Sequence, residues 1–278
     1  FDPDLEQGDA KKKTLNASAT NSLDRATNGA VEVPLMSCLS DAFISKVPHD
    51  RVSAVHTAYA KAPDYIVSAI NQHCDKLQCI RDTEYETDCF GHYVLNKYGM
   101  RVKESCHYSP IDHHIAMHND MTDAEYADVL QHELGHFIDD ALGRPSTGDR
   151  FRQAFSAAAA RYNTDTFYGQ MMLNDMLDDA FSTGAAFDRN ITDIISALTH
   201  NDPIVIRRFT EEGVAYYRHQ NDYWDRQLQD GTDAGMREKD SFANIFAIET
   251  GSYRISTNFA ERWFPQLSEA LRDSVGGA

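Results

Sequence analysis

TDAEYADVLQHELGHFIDDAL, residues 122–142, is the stretch that decides the fold. Thr122, followed three positions later by Glu125, forms a capping-box pattern, which predicts the first turn of a helix. Apolar residues then recur three and four positions apart, and a glycine with a proline shortly after it predicts the helix end near Leu142. We therefore expect a long amphipathic helix whose apolar face packs in the core.

The second face of this helix carries His132, Glu133 and His136 in the pattern HExxH. Histidines four positions apart lie one turn apart on one face, so both imidazoles can reach a single zinc ion. The glutamate after the first histidine can act as a general base toward water at the open coordination position. Gly135 leaves room for a close neighbour. The pattern predicts one zinc ion on His132 and His136, with Glu133 catalytic.

A zinc site needs a third protein ligand, and the sequence limits the choice. Asp139 and Leu142 occupy the positions where metzincins carry a Gly and a third His, so that class is excluded. No glutamate occurs between His136 and Glu211. The third ligand is therefore an aspartate or one of the later glutamates, which include Glu211, Glu212, Glu238 and Glu249.

The bulk composition is that of a globular protein with an acidic surface. The 278 residues carry a formal net charge of −17, with 42% hydrophobic and 25% charged residues. An acidic chain lacks the basic face that binds phosphates, so we expect no nucleic-acid partner. No apolar run approaches the ~18 residues of a membrane span, and we expect none. Residues 1–33 are polar and small, which predicts a disordered or leader tail before one domain at 34–278.

The five cysteines all lie in the first 106 residues. No CxxC pair occurs, which argues against a structural zinc ribbon. Their clustering fits disulfides in an exported protein, such as Cys74–Cys79 and Cys89–Cys106, and it equally fits five reduced thiols.

The remaining pattern predicts an α+β fold that is mostly helical. Apolar periodicity predicts helices on both sides of Pro48 and over 63–80, 149–161, 170–183, 190–199, 203–228 and 239–254. Alternation predicts short strands within 86–107 and over 112–118. The second stretch carries His113, His114 and His118. The simpler interpretation of these histidines is a half-exposed strand, and the alternative is a sheet edge that binds substrate.

The segment HELGHFIDD, residues 132–140, resembles the active-site helix of the anthrax lethal factor catalytic domain and the Pro-Pro endopeptidases, a group of gluzincin metalloproteases. That family carries its third ligand, a Glu, on a later helix in the pattern E-x-F-A-E-x-F, and this chain has DSFANIF at 240–246. RWFPQL at 262–267 is similar to the family's C-terminal segment. The resemblance implies a zincin-like fold with a small edge-exposed sheet, an active-site helix and a C-terminal helical subdomain.

Carried over, the resemblance places Asp240 on the third-ligand position and Asn244 on the position that hydrogen-bonds a ligand histidine. Both are Glu in the family. An Asp is one methylene shorter, so the helix must approach the metal about 1 Å closer or use a water bridge. Glu249 is the alternative ligand. We also expect Asp140 to orient His136, because an acid at a helix C-terminus is unfavourable unless it serves a purpose.

Two further departures from the family affect the rest of the site. About 100 residues separate His136 from Asp240, more than the few tens typical of the family, which implies a helical insertion. The family's oxyanion-stabilising Tyr would fall on Asp233, so another group must serve. The candidates for this catalytic role are Tyr223 and His219, followed by Tyr216 and Tyr217.

These observations predict a zinc metalloendopeptidase acting on a protein or peptide substrate. The resemblance implies a secreted or translocated effector or toxin, while a cytoplasmic location stays open. One alternative is a catalytically inert zinc-bearing module that binds a partner, with the Asp and Asn substitutions marking lost catalysis. A second alternative is a zinc amidase acting on a cell-wall peptide. The oligomeric state is not predicted.

Overall fold

The computed structural model describes residues 38–87, 92–96, 98–251 and 253–276, so the predicted tail at 1–33 and Cys89 lie outside the described residues. These residues form a mostly helical α+β fold with one small mixed sheet, which confirms the predicted fold class at that level. Among them, no helix combines the length and the apolar character that crossing a membrane requires.

Three short helices precede the sheet: α1 (Asp41–Ile44), α2 (Val52–Tyr59) and α3 (Asp64–His73). Pro48 ends the first segment and is followed by a 3-10 turn at His49–Arg51, so the predicted break lies where expected. The helix predicted over 63–80 is too long. It ends at His73, and the chain then enters a strand.

The sheet has three strands: β1 (Cys79–Asp82), β2 (His107–Ser109) and β3 (His114–Met117). β3 lies in the centre, parallel to β1 and antiparallel to β2, with Ile115 opposite both Ile80 and Tyr108. The strand predicted over 112–118 is shorter, at His114–Met117, and it is the central strand, so its interpretation as a sheet edge is wrong. The edge strand that contacts the helix at 123–141 is β2.

Helix α4 (Asp123–Ala141) follows the sheet and has the predicted capping box, in which Thr122 and Glu125 hydrogen-bond each other's backbone. Eight further α-helices follow among the described residues: α5 (Asp149–Arg161), α6 (Phe167–Thr183), α7 (Arg189–Thr199), α8 (Pro203–Glu212), α9 (Asn221–Trp224), α10 (Met236–Glu249), α11 (Arg254–Trp263) and α12 (Pro265–Gly276). The helix predicted over 203–228 is two helices, because Gly213 takes a left-handed conformation with φ 66° and ends α8.

Helix α10 occupies the centre of the helical layer. It packs lengthwise on α4 and also contacts α7 and α12. Its residues from Asp240 to Glu249 are all buried. One hydrophobic cluster runs from Leu39 near α1 to Val275 in α12, so the sheet, α4 and the later helices share one core.

The cysteines of the described residues are not joined by disulfides. Cys74 and Cys79 are free thiols, so a Cys74–Cys79 bond is not formed. Cys106 is also a free thiol, and its sulfur accepts the His118 N–H at 3.3 Å. Its suggested partner, Cys89, lies outside the described residues.

Candidate metal centre

Helix α4 brings the two histidines of HExxH into contact. The Nε2 atoms of His132 and His136 are 3.1 Å apart, and their rings meet edge to face with centroids 4.7 Å apart. Both rings are mostly buried, at 13% and 21% side-chain exposure. The i, i+4 spacing therefore directs two ring nitrogens to one point.

Gly135 brings α10 against this face of α4. A Cβ at Gly135 would lie 2.6 Å from the Ala243 Cα and 2.9 Å from the Ala243 carbonyl oxygen. Carbon atoms in contact normally stay about 3.5–4.0 Å apart, so only glycine allows the two backbones to come this close. The shorter Asp240 side chain thus reaches the histidines without a water bridge.

Asp240 completes a cluster of three potential ligand atoms. Its Oδ1 lies 3.1 Å from the His136 Nε2 and 3.9 Å from the His132 Nε2. Neighbouring ligand atoms in a tetrahedral zinc site with bonds of about 2.0–2.2 Å are about 3.3–3.6 Å apart. The donor set and its spacing fit such a metal ion. His132, His136 and Asp240 therefore form a group that could hold one.

The charges in this cluster depend on one another. Burial would raise the pKa of Asp240, but its hydrogen bond with His136 and the nearby His219 lower it below the ordinary value. Burial would lower the pKa of His136, but the Asp240 carboxylate raises it. Burial keeps the pKa of His132 well below its ordinary value, so this imidazole is neutral at pH 7. A neutral imidazole keeps the lone pair that a metal ion needs.

Asn244 fixes which nitrogen of His132 carries the proton. The Asn244 Nδ2 donates to the Asp193 Oδ2 at 2.9 Å, because an ionised carboxylate can only accept. This leaves the Asn244 Oδ1, 2.9 Å from the His132 Nδ1, as the acceptor of the ring N–H. His132 therefore presents an unprotonated Nε2 to the cluster. A buried acid thus lies behind the neutral Asn244.

Glu133 lies beside the cluster and is held by the sheet. Its side chain is 6% exposed, and its Oε2 accepts the backbone N–H of Tyr108, on β2, at 2.8 Å. Burial raises the pKa of Glu133, against the lowering effects of His136 and of the Tyr108 N–H. The carboxylate is therefore a stronger base than that of a solvent-exposed Glu. Its Oε1 takes no part in the hydrogen bond with the Tyr108 N–H.

Tyr223 and His219 lie on the opposite side of Asp240. Their rings stack with centroids 3.9 Å apart and an interplanar angle of 16°. The His219 Nε2 is 3.6 Å from the Asp240 Oδ2. Burial and the adjacent Asp240 carboxylate raise the pKa of Tyr223, so its hydroxyl keeps its proton. Of the other candidates, Tyr216 stacks on Phe209 and Tyr217 is 45% exposed.

Two predicted site residues lie elsewhere. The Asp140 carboxylate accepts hydrogen bonds from the Tyr108 hydroxyl at 3.0 Å and from the Arg144 Nε at 3.1 Å. The structure thus engages Asp140 with Tyr108 and Arg144 rather than with His136. Glu249 lies at the far end of α10, where it accepts hydrogen bonds from Arg272 at 2.7 Å and from the Tyr65 hydroxyl at 3.1 Å. More than two turns of α10 separate it from Asp240, the residue of this helix that faces the histidines.

Sequence reasoning missed Asp193 and Tyr108. Asp193 lies on α7, where it is 8% exposed and lies among other buried polar residues. Its only sequence signal is that Asn190, Thr192 and Ser196 surround it, which on an amphipathic helix suggests a solvent face. Tyr108 acts through its backbone, so no residue-type pattern identifies it.

Comparisons with family models, with curated proteins and with solved structures found no match to this chain. The residues that indicate a function are therefore those of the cluster: His132, His136, Asp240 and Glu133, with Asn244 behind the first of them.

Proposed function

We propose that the protein is a zinc-dependent peptidase of the zincin type, with His132, His136 and Asp240 as the metal ligands. The observation that carries this proposal is the convergence of two Nε2 atoms and one carboxylate oxygen within 3.9 Å of one another, beside a buried glutamate. The similarity of HELGHFIDD and DSFANIF to lethal-factor-like gluzincins supports the same assignment.

A zinc ion held by these three groups would supply Lewis acidity, which polarises a scissile carbonyl and makes a water molecule more acidic. Glu133 would provide the base. Its Oε2 is occupied by the Tyr108 N–H, so Oε1 accepts the proton of the attacking water. The water oxygen bonds to the carbonyl carbon, the C–N bond breaks, and Glu133 passes the proton to the leaving amine.

The oxyanion formed in this reaction needs a donor. Tyr223 keeps its hydroxyl proton and faces Asp240, so it is the candidate. Its ring is held in place by stacking on His219 and by an edge contact with Trp224 at 5.2 Å. The hydroxyl would donate to the substrate oxygen as negative charge develops.

The edge strand β2 supplies a place for an extended substrate. Since β2 pairs only with β3 among the described strands and contacts Glu133 through Tyr108, its free edge borders the cluster. An extended peptide could add to this edge by backbone hydrogen bonds and present its carbonyl to the site. A protein or peptide substrate therefore fits better than a small molecule.

The test is an N-terminal cleavage profile of a proteome digest, made with zinc-loaded parent protein and with Glu133→Gln. We expect the parent to create new N-termini and the Gln variant to keep its zinc and create none. Glu211→Gln, the same chemical change on the exposed surface of α8, is the matched control and should cleave like the parent. Equal cleavage by Glu133→Gln would refute the mechanism, and a zinc-loaded parent that cleaves nothing would favour an inert binding module.

A further inference from the structure

Asp240 offers its two carboxylate oxygens to two different groups. Oδ1 lies 3.1 Å from the His136 Nε2, on the side of α4. Oδ2 lies 3.6 Å from the Nε2 of His219, on the opposite side. Asp240 is 1% exposed, so both oxygens are shielded from bulk water. A carboxylate in this position can bind two metal ions, one through each oxygen.

Asp193 completes a second group around Oδ2. Its Oδ2 lies 3.9 Å from the His219 Nε2, and the ligand atoms of Asp193, His219 and Asp240 all lie within 4.8 Å of one another. Asp193 is itself only 8% exposed. The Asn244 amide holds its Oδ2 at 2.9 Å, which fixes the orientation of the carboxylate. The group is therefore prearranged by α7 and α10.

Two oxygen atoms of this group lack hydrogen-bond partners. Among the described residues, two buried carboxylate oxygens have no donor, and they are the Asp240 Oδ2 and the Asp193 Oδ1. Leaving a buried carboxylate oxygen unsatisfied costs free energy, and placing two carboxylates close together adds repulsion. His219 has one nitrogen directed at both acids and is too far from each for a short hydrogen bond. A cation between His219 and the two acids would give the Asp240 Oδ2 the partner that it lacks and offset the repulsion between the carboxylates.

We propose that Asp193, His219 and Asp240 hold a second divalent cation of the zinc class, with Asp240 as the bridging ligand between two metal ions. The proposal rests on the proposed function for the first ion. One imidazole nitrogen and two carboxylates suit zinc or manganese, and hydrolases use paired ions of this kind to stabilise both the attacking and the leaving group. His219 then acts as a ligand, which leaves Tyr223 as the oxyanion donor.

The neighbours of His219 agree with a ligand role. Tyr223 stacks on its ring, and Trp224 meets the ring edge-on at 5.1 Å. These contacts restrict ring rotation and keep the Nε2 directed at the two acids. The His219 side chain is 32% exposed, so this side of the cluster opens to solvent and leaves room for water or a substrate group on the second ion.

The test is the zinc content of the full chain after removal of metal, reloading with excess zinc and desalting. We expect two zinc ions per chain in the parent, one in His219→Ala and in Asp193→Asn, and none in Asp240→Ala. The matched control is His200→Ala, which removes a comparably exposed histidine that pairs with Asp225 at 2.8 Å outside the cluster. This variant should keep two ions.

The outcomes separate the second site from the first. One ion in the parent, retained in His219→Ala, overturns the second site and leaves the proposed function standing. No ion in the parent overturns both. Circular dichroism of each variant checks folding. If His219→Ala does not fold, the zinc content of Asp193→Asn decides. This variant keeps the shape of the side chain and can still accept a hydrogen bond from the Asn244 amide.

Discussion

Gly135→Ala tests whether the close approach of α4 and α10 builds the site. The added Cβ would lie 2.6 Å from the Ala243 Cα, against about 3.5–4.0 Å for a normal carbon contact. The helices must therefore separate by about 1 Å. Overpacking of this kind costs about 1–3 kcal/mol, and the higher helix propensity of Ala returns about 1 kcal/mol. We expect a net loss of up to about 2 kcal/mol in the free energy of unfolding.

The metal affinity should fall together with the stability. A shift of about 1 Å exceeds the ±0.2 Å within which ligand distances are normally held, so Asp240 would lose its position relative to the histidines. We expect zinc affinity to fall at least about tenfold, measured by competition with a chromophoric chelator, while urea unfolding of the metal-free protein reports stability.

Gly276→Ala is the matched control, because a Cβ there meets the Tyr65 Cβ at 3.7 Å, an ordinary contact. It should change neither quantity beyond about 1 kcal/mol. Full zinc affinity in Gly135→Ala would refute the role given to the close approach of the helices. A gain in stability, which the higher helix propensity of Ala alone predicts, would refute it as well.

Three further predictions test separate parts of the structure. Asp240→Glu should weaken zinc binding about 10–100-fold in a chelator competition, because the helix spacing suits the shorter side chain. Glu249→Gln should lower the free energy of unfolding by about 1–2 kcal/mol through the weakened Arg272 bond and leave zinc content unchanged; a loss of zinc would show that Glu249 is a ligand. Burial and Asp188 raise the pKa of Asp128 from 3.8 to about 6, so its charge destabilises the fold above pH 6 and the effect disappears below pH 4. Asp128→Asn should therefore be about 1–3 kcal/mol more stable than the parent at pH 7.5 and equal to it near pH 4, and a pH-independent difference would contradict this.

The local parts of the site follow from sequence. The capping box at Thr122 and the i, i+4 histidines depend on contacts within a single helix, and periodicity identifies such contacts. Asp240 lies about 100 residues later, so spacing could not identify it, and the resemblance to a family motif pointed to it. Asp193 had no such motif. Its role depends on tertiary packing that brings α7 behind α10.

The errors also have physical causes. The strand β1 was missed because Leu77 and Ile80 continue the apolar spacing of the helix before them, and pairing with β3 outweighs that local preference. The central place of β3 depends on which strands come together, which alternation along one segment does not determine. Export of the protein and cleavage of a protein substrate stay predictions.

The central claim is that the cluster on α4 and α10 holds zinc, and anomalous diffraction at the zinc edge tests it most directly. Crystals of the full chain soaked in zinc should show a peak about 2.0–2.2 Å from the Nε2 atoms of His132 and His136 and from the Asp240 Oδ1. Zinc found only at exposed histidines such as His200, with no peak at the cluster, would contradict the account.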